Sequence, residues 1–158
     1  MAHQPHNILI FGATGLIGKY ITSAILASGS SFAIVGIFTS SSSAQRKKVS
    51  LASYEQKGAT IVIGSLQNPA HIPSAYQSYD TIIFALGREA ITLQIDLIRL
   101  AEESSTIKRF FPSEFSADIE YSSISTTERP WYRVVRCEGE ESVAARAYGG
   151  EDCVDDYG

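Results

Sequence analysis

The chain has 158 residues, 44% of them apolar and 19% charged, with a net charge of −4. This is the composition of one folded domain, and it excludes a disordered, collagen-like or coiled-coil protein. No apolar run is long enough for a membrane span, the polar arm Met1 to Asn7 has no signal-type apolar region, and the net acidity argues against a nucleic-acid surface.

Asn7-Ile-Leu-Ile-Phe11 predicts a short buried strand, and Gly12-Ala-Thr-Gly15-Leu-Ile-Gly18 follows it as a turn. Ile17, Ile21, Ala24, Ile25 and Ser28 then share one stripe of a helix that Gly29 stops. Phe32 to Phe38 predicts a second strand, followed by a polar loop, Thr39 to Ser43, and a helix from Ala44 to Lys57 closed by Gly58. Ala59 to Ile63 predicts a third strand, and Pro69 opens a short helix towards Tyr76. Asp80 to Leu86 predicts a fourth strand ended by Gly87. Arg88 to Ser104 follows as an amphipathic helix with Ile91, Ile95, Ile98 and Ala101 on one side. Ile107 to Phe111 predicts a fifth strand, stopped by Pro112. Short apolar strands alternating with helices imply βαβ units. The expected fold is α/β, a doubly wound, Rossmann-like parallel sheet with a ligand crevice at the carboxyl ends of its strands.

Gly12, Gly15 and Gly18 lie directly between the first strand and the first helix. There the first glycine permits the tight turn, the second lets backbone approach a pyrophosphate, and the third lets helix and sheet pack closely. The helix start adds unpaired N–H groups and a partial positive charge, and Thr14 adds a hydroxyl donor. The competing reading is a turn that needs glycine for packing alone. An NAD site usually carries an acid after the second strand, but no Asp or Glu occurs between Gly12 and Glu55. Thr39, Ser40 and the cluster Arg46-Lys47-Lys48 stand there instead, a set of hydroxyls and cations that favours the 2′-phosphate of NADP(H). The competing reading of the three cations is a solvated helical turn.

Ile8 to Gly18, the strand Thr81-Ile-Ile-Phe-Ala-Leu-Gly87 and above all Ile107-Lys-Arg-Phe-Phe-Pro-Ser-Glu-Phe115 resemble the NmrA-like, isoflavone reductase-like branch of the atypical short-chain dehydrogenases. The resemblance implies an NADP(H)-binding Rossmann domain followed by a smaller substrate domain. It implies either reduction of small aromatic or carbonyl compounds or, as in the NmrA regulators, dinucleotide binding coupled to a protein partner. It assigns the pyrophosphate to Gly12, Thr14, Gly15, Leu16, Ile17 and Gly18, and the 2′-phosphate to Lys47; where plant members carry an arginine at the end of the second strand, this chain has Phe38 or Thr39. The reductases of this family also use a lysine beyond the Pro-Ser-Glu-Phe string as acid/base. The corresponding stretch here, Glu128-Arg-Pro-Trp-Tyr-Arg-Val-Val-Arg136, has none. Arg133 and Arg136 do not replace it, because guanidinium holds its proton at neutral pH. No residue of the chain is therefore assigned a catalytic role.

Residues 1–110 carry nine Lys/Arg and six Asp/Glu, whereas residues 111–158 carry four and eleven. No Leu follows Leu100, no Lys follows Lys108 and no Ile follows Ile124. The expected organisation is an incomplete dinucleotide-binding domain over 1–137 and an acidic, disordered tail over 138–158. A shortened or mis-spliced reading frame would produce that break in composition; the alternative is a natural short protein with an acidic tail. His3, His6 and His71 are too scattered for a metal site. The only cysteines, Cys137 and Cys153, make no disulfide framework, so a cytoplasmic protein with reduced thiols is expected.

Overall fold

The computed structural model describes residues 5–68, 70–87, 90, 93–113 and 115. The expected boundary at residue 137, the acidic tail, the stretch 128–136 and both cysteines lie outside the described residues.

Five parallel strands form one sheet: β1 (Asn7–Phe11), β2 (Ile34–Thr39), β3 (Ala59–Ile63), β4 (Thr81–Phe84) and β5 (Arg109–Phe111). Their order is β3-β2-β1-β4-β5, so the winding reverses between β1 and β4. The helices are α1 (Gly18–Ala27), α2 (Ser41–Arg46), α3 (Lys48–Gln56), α4 (His71–Tyr76) and α5 (Gln94–Glu103). The architecture is the doubly wound sheet that the alternation of strands and helices implies.

Successive strand residues point to opposite faces, and β1 supplies both cores. Leu9 and Phe11 join Phe38, Ile82, Phe84 and Phe110 beneath Tyr76 of α4 and Leu97, Ile98 and Ala101 of α5. Ile8 and Ile10 join Val35 and Ile37 beneath Leu51 and Tyr54 of α3 and Ile25 and Leu26 of α1. Burial on both faces is why the strands read as continuous apolar runs rather than alternating ones. The aromatic rings form a row across the sheet: Phe11 lies 4.7 Å from both Phe38 and Phe84, and Phe84 lies 4.4 Å from Phe110. Gly36 stays small because a Cβ there would overlap the Tyr79 ring.

Three expectations need correction. The single helix over Ala44–Lys57 is two helices. Ser40 caps α2 with its Oγ, which accepts from the Ser43 N–H at 3.2 Å, so the helix starts inside the expected loop. Lys47, at φ −110° and ψ 21°, then separates α2 from α3. The stripe of α1 holds only in part: Ile25 packs against the core and Ile21 is half-buried, but Ile17 is 40% exposed, Ala24 and Ser28 are exposed, and Gly18 and Thr22 are the buried residues. Close approach of helix to sheet selects the small side chains for the inner face. In α5 the buried residues are Gln94, Leu97, Ile98 and Ala101, and Ile95 is only half-buried. The helix begins at Gln94, and of the predicted start Arg88, Glu89, Ile91 and Thr92 lie outside the described residues.

Candidate functional site

The carboxyl ends of β1, β2, β4 and β5 bring three groups of residues to one edge of the sheet. The first is the turn after β1. Gly12 has a left-handed φ of +78°, and a Cβ on it would fall onto the Ala85 carbonyl at the end of β4. Residues with a side chain rarely adopt that φ, so the turn demands glycine twice over. A Cβ on Gly18 would fall onto the Gly12 carbonyl oxygen, which fixes how closely α1 packs under the turn. The turn is closed by the Gly15 N–H, which donates to the Gly12 carbonyl at 2.9 Å. Ala13 is buried beneath it, and its carbonyl accepts from the Thr22 and Tyr54 hydroxyls, each at 3.5 Å.

Gly15 differs from its two neighbours. Its φ is not left-handed, and a Cβ there would stand 3.1 Å from the Gly12 oxygen and 3.6 Å from the Ala85 oxygen. That fit is tight, but it needs only a small adjustment. The folded chain therefore demands glycine at 12 and 18 far more strongly than at 15. Thr14 and Gly15 are half-buried, and Leu16 is 78% exposed, so the outer rim of the turn faces solvent at the start of α1. The first N–H groups of any helix lack intrahelical acceptors and carry the positive end of its dipole.

The second group follows β2. Thr39 is half-buried, and its carbonyl accepts from the Gly64 N–H at 3.0 Å. Arg46 lies at the far end of α2, where its Nη2 donates to the Ser43 Oγ at 3.3 Å. Lys47 is exposed at the junction with α3. With a rise of about 1.5 Å per residue, Arg46 stands roughly 8 Å along the helix axis from Ser41. Thr39 and the cations thus belong to one corner but to opposite ends of α2.

The third group was not singled out by sequence reasoning as a unit. Gln94, the first residue of α5, is fully buried, and its Oε1 accepts from the Ser113 N–H at 3.1 Å. The Ser113 hydroxyl donates to the Leu86 carbonyl at 2.9 Å. Ala85, just before, donates its N–H to the Phe11 carbonyl at 2.8 Å, which links this corner back to the glycine turn. The Gln94 Nε2 has no partner among the described residues. An unpaired buried amide costs about 1–3 kcal/mol. The available signal was a glutamine standing in the core register of α5, three and four residues before Leu97 and Ile98.

Burial pushes the phenols of Tyr76 and Tyr79 above the ordinary tyrosine range, and both pack in the core on one face of the sheet. Among the described residues there is no cluster of three or more His, Cys, Asp or Glu suited to a metal ion. No helix among them is long and apolar enough to cross a membrane.

Residues 4–134, more than half of the chain, match the NmrA-like family. The chain belongs to that family. A phenylcoumaran benzylic ether reductase of Pinus taeda is 38% identical over 115 residues, which span 72% of this chain and 37% of that protein. The isoflavone reductase of Pisum sativum is 32% identical over 125 residues, 73% of this chain and 39% of that protein. The solved complex of Vitis vinifera leucoanthocyanidin reductase with NADPH superposes with a TM-score of 0.73 at 30% identity, covering 87% of this chain and 47% of that one. The structures of pinoresinol-lariciresinol and phenylcoumaran benzylic ether reductases superpose equally well, at 0.73 and 28% identity over 86% of this chain and 46% of that one. The match thus spans less than half the length of these relatives.

Proposed function

We propose that this NmrA-like chain is the NADP(H)-binding unit of a reductase acting on small aromatic or carbonyl compounds. The observation that carries the reading is Gly15. The folded chain makes only a weak demand for glycine there, while a pyrophosphate resting on the start of α1 needs the backbone bare at that position. Gly12, Thr14, Leu16, Ile17 and Gly18 complete the proposed cradle. At the neighbouring corner Thr39, Arg46 and Lys47 supply a hydroxyl and two cations for a 2′-phosphate, with no carboxylate between Gly12 and Glu55 to repel it. The related leucoanthocyanidin reductase is solved with NADPH, which supports the same choice of cofactor. The bound nicotinamide would supply the hydride; the chain's own residues bind and orient it.

Titration of the pure chain with NADPH and NADH tests the reading. NADPH binds more tightly if the Arg46–Lys47 corner reads the 2′-phosphate, and equal affinities would refute that assignment.

A second reading is favoured by one feature. No lysine follows Lys108, so the acid/base expected of the family's reductases has no counterpart in this chain. A dinucleotide-binding regulator acting through a protein partner needs no such group. Loss of a general acid/base costs about 10²–10⁴-fold in rate. Steady NADPH oxidation with phenolic or carbonyl substrates would support the reductase reading, whereas binding without turnover would support the regulator.

A further inference from the structure

The glycine turn follows β1, and the corner that faces the 2′-phosphate follows β2. A dinucleotide lying across the strand ends therefore extends its other half past the reversal between β1 and β4, towards the ends of β4 and β5. Gln94 and Ser113 are built into that corner. From these placements we infer that Gln94 is a positioning residue for the nicotinamide half of the site, acting through Ser113. The inference rests on the dinucleotide reading above and adds a role to a residue that reading does not use.

Ser113 is the donor in both of its hydrogen bonds. The Gln94 Oε1 accepts the Ser113 N–H, the Ser113 hydroxyl donates to the Leu86 carbonyl, and Ala85 beside it donates to Phe11 at the foot of the glycine turn. The segment after β5 is thereby tied to the segment after β4, and both to the turn after β1. A leucine at position 94 would fill a similar volume and remove the unpaired Nε2, but it would leave the Ser113 N–H without this acceptor. What the amide adds is its Oε1, the acceptor that holds Ser113 against Leu86. The Nε2, without a partner among the described residues, is what the chain tolerates in order to keep that acceptor. The site is then stiff on the side where a ring has to be held flat for hydride transfer, a task that depends on orientation.

The test compares two ligands on the full chain: NADPH, and 2′-phospho-ADP-ribose, which has the adenine half and the pyrophosphate but no nicotinamide. Gln94→Met removes the acceptor at nearly constant volume. Losing one neutral hydrogen bond corresponds to a factor of roughly three to ten. NADPH affinity is expected to fall by that factor in Gln94→Met, with the shift of nicotinamide fluorescence on binding reduced, while 2′-phospho-ADP-ribose binds as to the parent. Ser113→Ala, which removes one hydroxyl at a half-buried position, gives the same selective loss to a smaller degree and serves if Gln94→Met does not fold. Equal loss for both ligands, or no loss for either, overturns the inference. A parent chain that holds the two ligands equally tightly also overturns it and leaves the cofactor reading standing. A parent that binds neither overturns the cofactor reading itself.

Discussion

Substituting alanine at each glycine of the turn separates what folding needs from what binding needs. At Gly12 the alanine meets a φ of +78°, a strain of about 1–2 kcal/mol for a residue with a side chain. Its Cβ would also land on the Ala85 carbonyl, and relieving that overlap means parting the ends of β1 and β4. Overpacking of this kind costs about 1–3 kcal/mol, so Gly12→Ala loses roughly 2–5 kcal/mol in all. Gly18→Ala drives α1 off the Gly12 carbonyl and loses a similar packing term without the φ strain. Gly15→Ala meets only the 3.1 Å approach to the Gly12 oxygen, and alanine also reduces the entropy of the unfolded chain by about 0.4–1 kcal/mol. Its stability should stay within about 1 kcal/mol of the parent by urea denaturation. Binding reverses the order among variants that fold. Gly15→Val sets a branched side chain where the proposed pyrophosphate would rest on the helix start, and the expected loss is that of about two charge-assisted hydrogen bonds. At about 1.5–3 kcal/mol for each hydrogen bond to a charged group, affinity falls by roughly 10²–10⁴-fold. Normal NADPH binding by Gly15→Val, or unfolding of Gly15→Ala as severe as that of Gly12→Ala, would refute the division of roles.

Lys47→Glu places a carboxylate at the proposed 2′-phosphate corner, and isothermal titration should show the preference for NADPH over NADH lost or inverted at nearly unchanged NADH affinity. Tyr76 is buried, and its hydroxyl donates to the Leu97 carbonyl at 3.0 Å. Its phenol is raised by burial from an ordinary value of 10.0, so its contribution to stability is whole below about pH 10 and is lost as pH rises above that. Tyr76→Phe should therefore flatten the alkaline fall in melting temperature while costing about 1 kcal/mol near neutral pH. The Asp80 carboxylate accepts from the backbone N–H groups of His6 and Asn7, the latter at 2.8 Å, and from the Thr81 hydroxyl at 2.7 Å. Asp80→Ala should destabilise the chain by roughly 1–3 kcal/mol in denaturant titrations. It should leave NADPH affinity alone, because this clamp lies at the amino ends of the strands.

The five strands, the glycine turn and the stop at Gly58 were legible in the sequence because each is a local event. A parallel strand buried on both faces must be apolar throughout, so Ile8 to Phe11 or Ile82 to Phe84 announce themselves without a neighbour. The turn announces itself too, since few residues other than glycine can pass through the backbone of Gly12 or leave α1 as close to the sheet as Gly18 does. The family followed from the same local strings, with Arg109-Phe-Phe-Pro-Ser113 at their centre. Tertiary structure decided the rest. The inner face of α1 is Gly18 and Thr22 rather than Ile17 and Ala24, because the distance from helix to sheet, which no single helix encodes, selects small side chains there. The break at Lys47 has no Pro or Gly to mark it; it depends on where the cap of Ser40 starts α2 and where Leu51 and Tyr54 must reach the sheet. Gln94 offers the clearest case. Periodicity can say that position 94 faces the core, but only the arrival of Ser113 from the end of β5 gives a buried amide something to hold, and that partner lies nineteen residues away on another element. Local propensity and patterning are set by neighbours along the chain, whereas hydrogen-bond partners for a buried polar group are set by which strand lies beside which. Here that was decided by the order β3-β2-β1-β4-β5.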